Sequence, residues 1–129
     1  MIADEVYEAS NDNNNKVLID MRKREDKKHQ SPVELLLSAL AACGAVDVVV
    51  VLKKRKKSIL DCTIETEGQR REETPRAFTK INCHYIITSE DATEEEVEKA
   101  AGLALEKYCS VASSLSAEIT YSVQVIRPN

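Results

Sequence analysis

The side chains in this sequence best able to do chemistry at neutral pH are four cysteines, Cys43, Cys62, Cys83 and Cys109. A thiolate attacks electrophiles, passes through sulfenic acid to a disulfide, or ligates soft metals. No two of the four form a C-x-x-C pair or the close spacing of a zinc knuckle, so no metal site is expected. The chain opens on Met1 with acidic Asp4 and Glu5, without a basic segment leading into an apolar one. That argues against a secretory leader and a disulfide framework, and for free thiols in the cytoplasm.

Periodicity sorts these thiols by the elements that must carry them. Leu60, Cys62, Ile64 and Thr66 alternate with Asp61, Thr63, Glu65 and Glu67, and Ile81, Cys83, Tyr85 and Ile87 alternate with Lys80, Asn82, His84 and Ile86. Two such runs separated by the polar stretch 68–76 predict an antiparallel pair with one buried face, and Cys62 and Cys83 are core thiols on it. Cys83-His84 is no metal pair, because adjacent strand residues face opposite ways.

Ser31-Pro32-Val33-Glu34 reads as a capping box with proline at the first helical position. The helix it opens, over 33–52, has Ala, Val, Leu or Cys at 16 of its 20 positions. Such a helix is either a protein centre or a membrane span. Asp47, four consecutive valines and a soluble-looking remainder favour a central buried helix, with Lys53–Lys57 as its cationic C-terminus. Cys43 lies mid-helix beside Gly44, a setting that also suits a small apolar core residue. Asp47 follows one turn later on the same face, where a carboxylate opposes thiolate formation. Ser38, a partner chain or water are its open partners.

Thr93 and Glu96 form a second capping box, and Val97, Ala101, Ala104, Leu105 and Tyr108 fall at helical spacing over 94–108. Cys109 follows Glu106-Lys107-Tyr108 and precedes Ser110, an odd setting for a core filler. Residues 2–7 and 16–22 predict a hairpin around an Asn-rich loop, 22–30 a solvated loop, and 119–125 a last strand. The order ββ-α-ββ-α-β implies an α+β fold in one domain, 1–129. The 129 residues are 43% hydrophobic and 31% charged with net charge −4, which excludes a disordered tail or polycation. Acidic balance and few aromatics also argue against nucleic-acid binding by the basic run 53–57.

These residues carry a resemblance. Ser31-Pro32-x-Glu34-Leu35, Ala41-Ala42-Cys43, Asp61-Cys62, Arg70-Arg71-Glu72-Glu73-x-Pro75-Arg76-x-Phe78 and Glu106-Lys107-Tyr108-Cys109-Ser110-Val111 are similar to the OsmC/Ohr family. The last stretch resembles most its YhfA-like branch. The resemblance implies an α+β OsmC-like fold, antiparallel sheets around a long central buried helix, in an intertwined homodimer with sites shared between subunits.

It also implies a thiol-dependent peroxidase that reduces organic hydroperoxides, uses no cofactor, metal, nucleic acid or membrane, and is recharged by an external dithiol. By position, Cys43 matches the peroxidatic cysteine and Cys109 the resolving one. The family supports the thiolate with an arginine and a glutamate. The usual glutamate position is Val33 here, leaving its neighbour Glu34, and Arg22 and Arg24 lie in the arginine's segment. Tyr108 is expected to wall the site. These departures leave open a second reading, a slow or non-catalytic redox-sensing or ligand-binding protein.

Overall fold

A computed structural model describes all 129 residues, which form two compact bodies, Met1–Leu36 and Leu37–Asn129. In the first, β1 (Val6–Ser10) and β2 (Lys16–Asp20) make an antiparallel hairpin, with Val6 opposite Asp20 and Ser10 opposite Lys16. The Asn-rich segment closes it as expected. The Asn11 side-chain oxygen accepts from the Asn15 N–H at 2.9 Å, and Asn14 takes the left-handed conformation that asparagine tolerates. The first strand starts later than the apolar run suggested, at Val6, and runs through polar Glu8 and Ser10. Only the Val6–Asp20 pair of this ribbon is buried, so little of it is patterned by a core.

The segment 22–30 is the exposed loop expected, and it is wound around a buried carboxylate. Asp20 is fully buried and accepts from the Arg22 guanidinium at 2.9 and 2.6 Å, and from the backbone N–H groups of Arg22, Lys28 and His29. These bonds, the Arg22 pair foremost, hold its carboxyl far below the usual carboxylate range.

Helix α1 (Pro32–Lys54) starts at the predicted capping box: the Ser31 hydroxyl accepts from the Glu34 N–H, and the Glu34 carboxylate accepts from the Ser31 N–H. In the second body it buries one stripe, Leu40, Gly44, Val48 and Leu52, at i,i+4 spacing. Ala39, Ala42, Val46 and Val50 lie open on the other side, Val46 at 63% exposure. The expected all-round burial of this helix is therefore not reached within one chain. By length and composition alone, α1 is apolar enough to cross a membrane. It ends at Lys56, which is left-handed, while the Lys57 N–H reaches back to the Leu52 carbonyl, a Schellman cap.

Strands β3 (Asp61–Arg70) and β4 (Phe78–Thr88) pair antiparallel, with Ile64 opposite Tyr85 and Thr66 opposite Cys83. Ile81, Cys83, Tyr85 and Ile87 are fully buried, as their alternation predicts. Leu60, expected to share that face, lies outside the strand and is exposed. The expectation of antiparallel sheets holds for these pairs but not for β5 (Glu118–Ile126), which runs parallel to β4 from Lys80↔Glu118 onward. The reason is the connection. Helix α2 (Glu94–Leu103), a π-turn (Ala104–Tyr108) and α3 (Ser110–Ser113) carry the chain back to the end of the sheet where β4 began.

Two close approaches lock helices onto this sheet. Gly44 of α1 lies so near the Tyr85 hydroxyl that a Cβ there would overlap it, and a Cβ on Gly102 of α2 would sit 2.7 Å from the Tyr121 hydroxyl. Tyr85 is fully buried and has nowhere to retreat. Gly44→Ala should therefore lower stability by about 1–3 kcal/mol, the usual cost of overpacking. Combined with Tyr85→Phe, which removes the obstructing oxygen, the same change should become neutral or stabilising by up to about 1 kcal/mol through helix propensity. Denaturant midpoints of the four proteins in this cycle test it; equal effects of Gly44→Ala in both backgrounds would contradict it.

Candidate functional site

The Gly44 contact sets one helical turn of α1 against the sheet, and that turn carries Cys43 and Asp47, four residues apart on one side of the helix. Cys109 comes from the opposite wall. There α2 does not continue as an α-helix to 108; it widens into the π-turn, whose last bond runs from the Cys109 N–H to the Ala104 carbonyl at 2.7 Å. Such wide turns are frequent at functional sites. Cys109 itself is extended and caps α3, its Sγ accepting from the Ala112 N–H at 3.3 Å. The result is a cluster in which the Cys43 sulfur, an Asp47 carboxylate oxygen and the Cys109 sulfur all lie within 4.8 Å of one another.

The two thiols of this cluster are not equivalent. Cys43 is half-buried, whereas Cys109 is only 3% exposed. Burial first, then hydrogen bonding to Cys43, pushes the Cys109 thiol up to about 11. It is thus a protonated thiol at neutral pH. Burial also raises Cys83 to about 11 and raises Cys62, consistent with core thiols on the strand faces.

Two buried polar atoms beside the cluster have no hydrogen-bond partner, the Asp47 Oδ2 and the Tyr85 hydroxyl. Burial drives the Tyr85 phenol well above its ordinary acidity range, so it stays a donor. Three donors within 4.8 Å is also the number that an open metal site uses. Two of the three are the free thiols of Cys43 and Cys109, so the arrangement also reads as a reduced dithiol.

Asp47 also lines a groove of about 490 Å³. Val50, Val51 and Leu103 give it apolar walls, Lys54 and Arg55 stand along it, and Tyr108 flanks it. Tyr108, expected as a wall residue, is half-exposed with Lys107 Nζ 5.6 Å from its ring centre. The structure thus brings Cys43 and Cys109 together. It adds Asp47, which the sequence marked only as an electrostatic opponent of the thiolate.

The other expected supporting residues belong to the first body. Arg22 is bound to Asp20, Arg24 is exposed, and Glu34 serves the Ser31 cap and pairs with Lys27 at 3.1 Å. Asp20, which holds Arg22, was missed. An aspartate at a strand end reads as a turn residue, and only its burial reveals otherwise.

The known proteins similar to this chain form a coherent set. Residues 25–124 match the family model described as OsmC-like protein. Protein YhfA of Escherichia coli K12 is 44% identical over 101 residues, 77% of this chain and 75% of its own length. A structure from structural genomics is 34% identical with TM-score 0.89, covering 99% of this chain and 95% of its own. An organic hydroperoxide resistance protein OsmC from Legionella pneumophila shares the fold at TM-score 0.63 and 18% identity, over 93% of each chain.

The inequality of the two thiols has a direct consequence. In a Cys43→Ser variant, iodoacetamide should modify Cys109 at pH 7.5 at least about tenfold more slowly than a free cysteine, whose pKa is about 8.5. The rate should climb as pH rises toward 11, because the thiolate fraction grows through the raised pKa. Rapid labelling at pH 7.5, followed by peptide mass spectrometry, would contradict the assignment.

Proposed function

The chain belongs to the OsmC-like protein family, and from that premise we propose that it is a cytoplasmic thiol peroxidase for organic hydroperoxides, in which Cys43 attacks and Cys109 resolves. The observation that supports this most is the asymmetry of the facing pair: an accessible thiol on α1 against a buried, protonated one. The nucleophile has to meet substrate, while the resolving thiol has to stay reduced until its partner is oxidised. The groove with Val50, Val51 and Leu103 suits the organic body of such a substrate.

The chemistry then runs in two steps. The Cys43 thiolate attacks the terminal oxygen of the hydroperoxide, the O–O bond breaks, and the alcohol leaves after taking up a proton. Cys43 is now a sulfenic acid. The Cys109 sulfur attacks it, water departs, and the disulfide waits for an external dithiol, a small molecule or a protein. No cofactor, metal or nucleic acid enters this scheme.

A second reading, a slow redox sensor of the same fold, is favoured by Val33 at the family's glutamate position and by the commitment of Arg22 to Asp20. The two readings share the disulfide and differ in rate: a sensor forms it without sustained dithiol-driven turnover.

The reading includes a homodimer. Two copies laid together over Ala39, Ala42, Val46 and Val50 would cover the open side of α1 without a membrane and close over the groove at Val50. Sedimentation of the detergent-free protein should give about twice the 14.4 kDa chain mass, and Val46→Asp should shift it to monomer. A monomeric wild type, or one extracted only with detergent, would overturn this part.

For the chemistry, wild-type protein treated with less than one equivalent of cumene hydroperoxide should yield a Cys43–Cys109 disulfide by peptide mapping. Cys43→Ser should abolish dithiol-driven peroxide consumption, lowering it at least about a hundredfold. Cys109→Ser should leave a trappable sulfenic acid at Cys43. Turnover surviving in Cys43→Ser would sink the proposal.

A further inference from the structure

The second step of that scheme has a proton problem. Cys109 reacts as a thiolate, yet its burial favours the thiol. The hydroxide leaving Cys43, in turn, departs far more readily as water. A group beside the buried Cys109 is therefore needed to take its proton and return one to the departing oxygen.

The site contains one group suited to this. Asp47 lies within 4.8 Å of both sulfurs, and its Oδ2 is buried with no hydrogen-bond partner. A buried carboxylate oxygen without a partner is costly unless it serves a purpose. The other orphan, the Tyr85 hydroxyl, stays protonated and cannot accept a proton into a charged form. Asp47 also lines the groove, so the residue lies between the dithiol and that opening.

We propose that Asp47 is the proton carrier of disulfide closure, taking the Cys109 S–H proton and delivering it to the hydroxyl that leaves Cys43. In balance, the Cys109 sulfur donates its electron pair to form the S–S bond, and the Cys43 S–O bond breaks with its pair on oxygen. The proton passes through Asp47, and one water is released. The Cys43 sulfur is reduced from its sulfenic level, the Cys109 sulfur is oxidised, and no further oxidant is needed. This rests on the thiol peroxidase reading. It also reverses the role the sequence suggested for Asp47, because a carboxylate that merely opposed the Cys43 thiolate would only slow the first step.

The test separates the two steps. Wild type, Asp47→Asn, Asp47→Glu and Asp47→Ala are each mixed with one equivalent of cumene hydroperoxide, with and without dimedone, and followed by intact-mass spectrometry. Asp47→Asn should form the Cys43 sulfenic acid as fast as wild type or faster, but close the disulfide about 10²–10⁴-fold more slowly, the usual contribution of a positioned acid–base group. Dimedone should then capture most of the Cys43. Asp47→Glu should recover part of the closing rate, and added formate should accelerate closure in Asp47→Ala, a rescue no purely structural role provides.

Closure at the wild-type rate in Asp47→Asn would overturn the inference while leaving the peroxidase reading intact. Equal slowing of both steps, without formate rescue, would overturn it in favour of a structural role. A wild type that forms no Cys43–Cys109 disulfide would remove the peroxidase reading and this inference together.

Discussion

The close approach of α1 to β4 at Gly44 is the constraint on which the site depends. Side chains normally hold a helix away from the element it packs on. Here the missing side chain lets the Tyr85 hydroxyl press against the helix backbone, with a Leu105 methyl at ordinary contact range. The adjoining residue is Cys43, so its sulfur is set beside the connection that carries Cys109. Tyr85 accepts a cost for this, since its buried hydroxyl has no partner.

The electrostatics of the site follow from the same burial. Cys109 is surrounded by core, so its charged form is disfavoured and it remains a reduced reserve. Cys43, half-open, meets the outside first. Cys62 and Cys83 have raised thiols too, but they sit on the sheet face outside the Cys43–Asp47–Cys109 cluster, so burial there favours the inert thiol form. Identical residue types thus divide into working and structural thiols through where the backbone places them.

Much of this was legible in the sequence where local chemistry governs structure. Both capping boxes formed as read, because Ser31 with Glu34 and Thr93 with Glu96 satisfy the helix starts by themselves. The alternation through Ile87 gave the buried face because one side of that strand meets the core and the other does not. What was not legible depends on contacts distant in sequence. The parallel run of β5 is set by how far α2 and α3 carry the chain. The π-turn at Ala104–Tyr108 is a widening that helical periodicity does not encode. Asp20 and Asp47 are carboxylates whose roles come from burial, and a sequence shows only that they are charged. The pairing of Cys43 with Cys109 came from family resemblance, and no spacing rule links residues so far apart.

The central claim is that these two thiols form one redox unit within a chain. Its most direct test is the intact mass of the wild-type protein after a single equivalent of organic hydroperoxide, before and after a dithiol is added. The account predicts the loss of two hydrogens per chain with no retained oxygen, fully reversed by the dithiol. A stable gain of one oxygen per chain, or a covalent dimer through either cysteine, would contradict it.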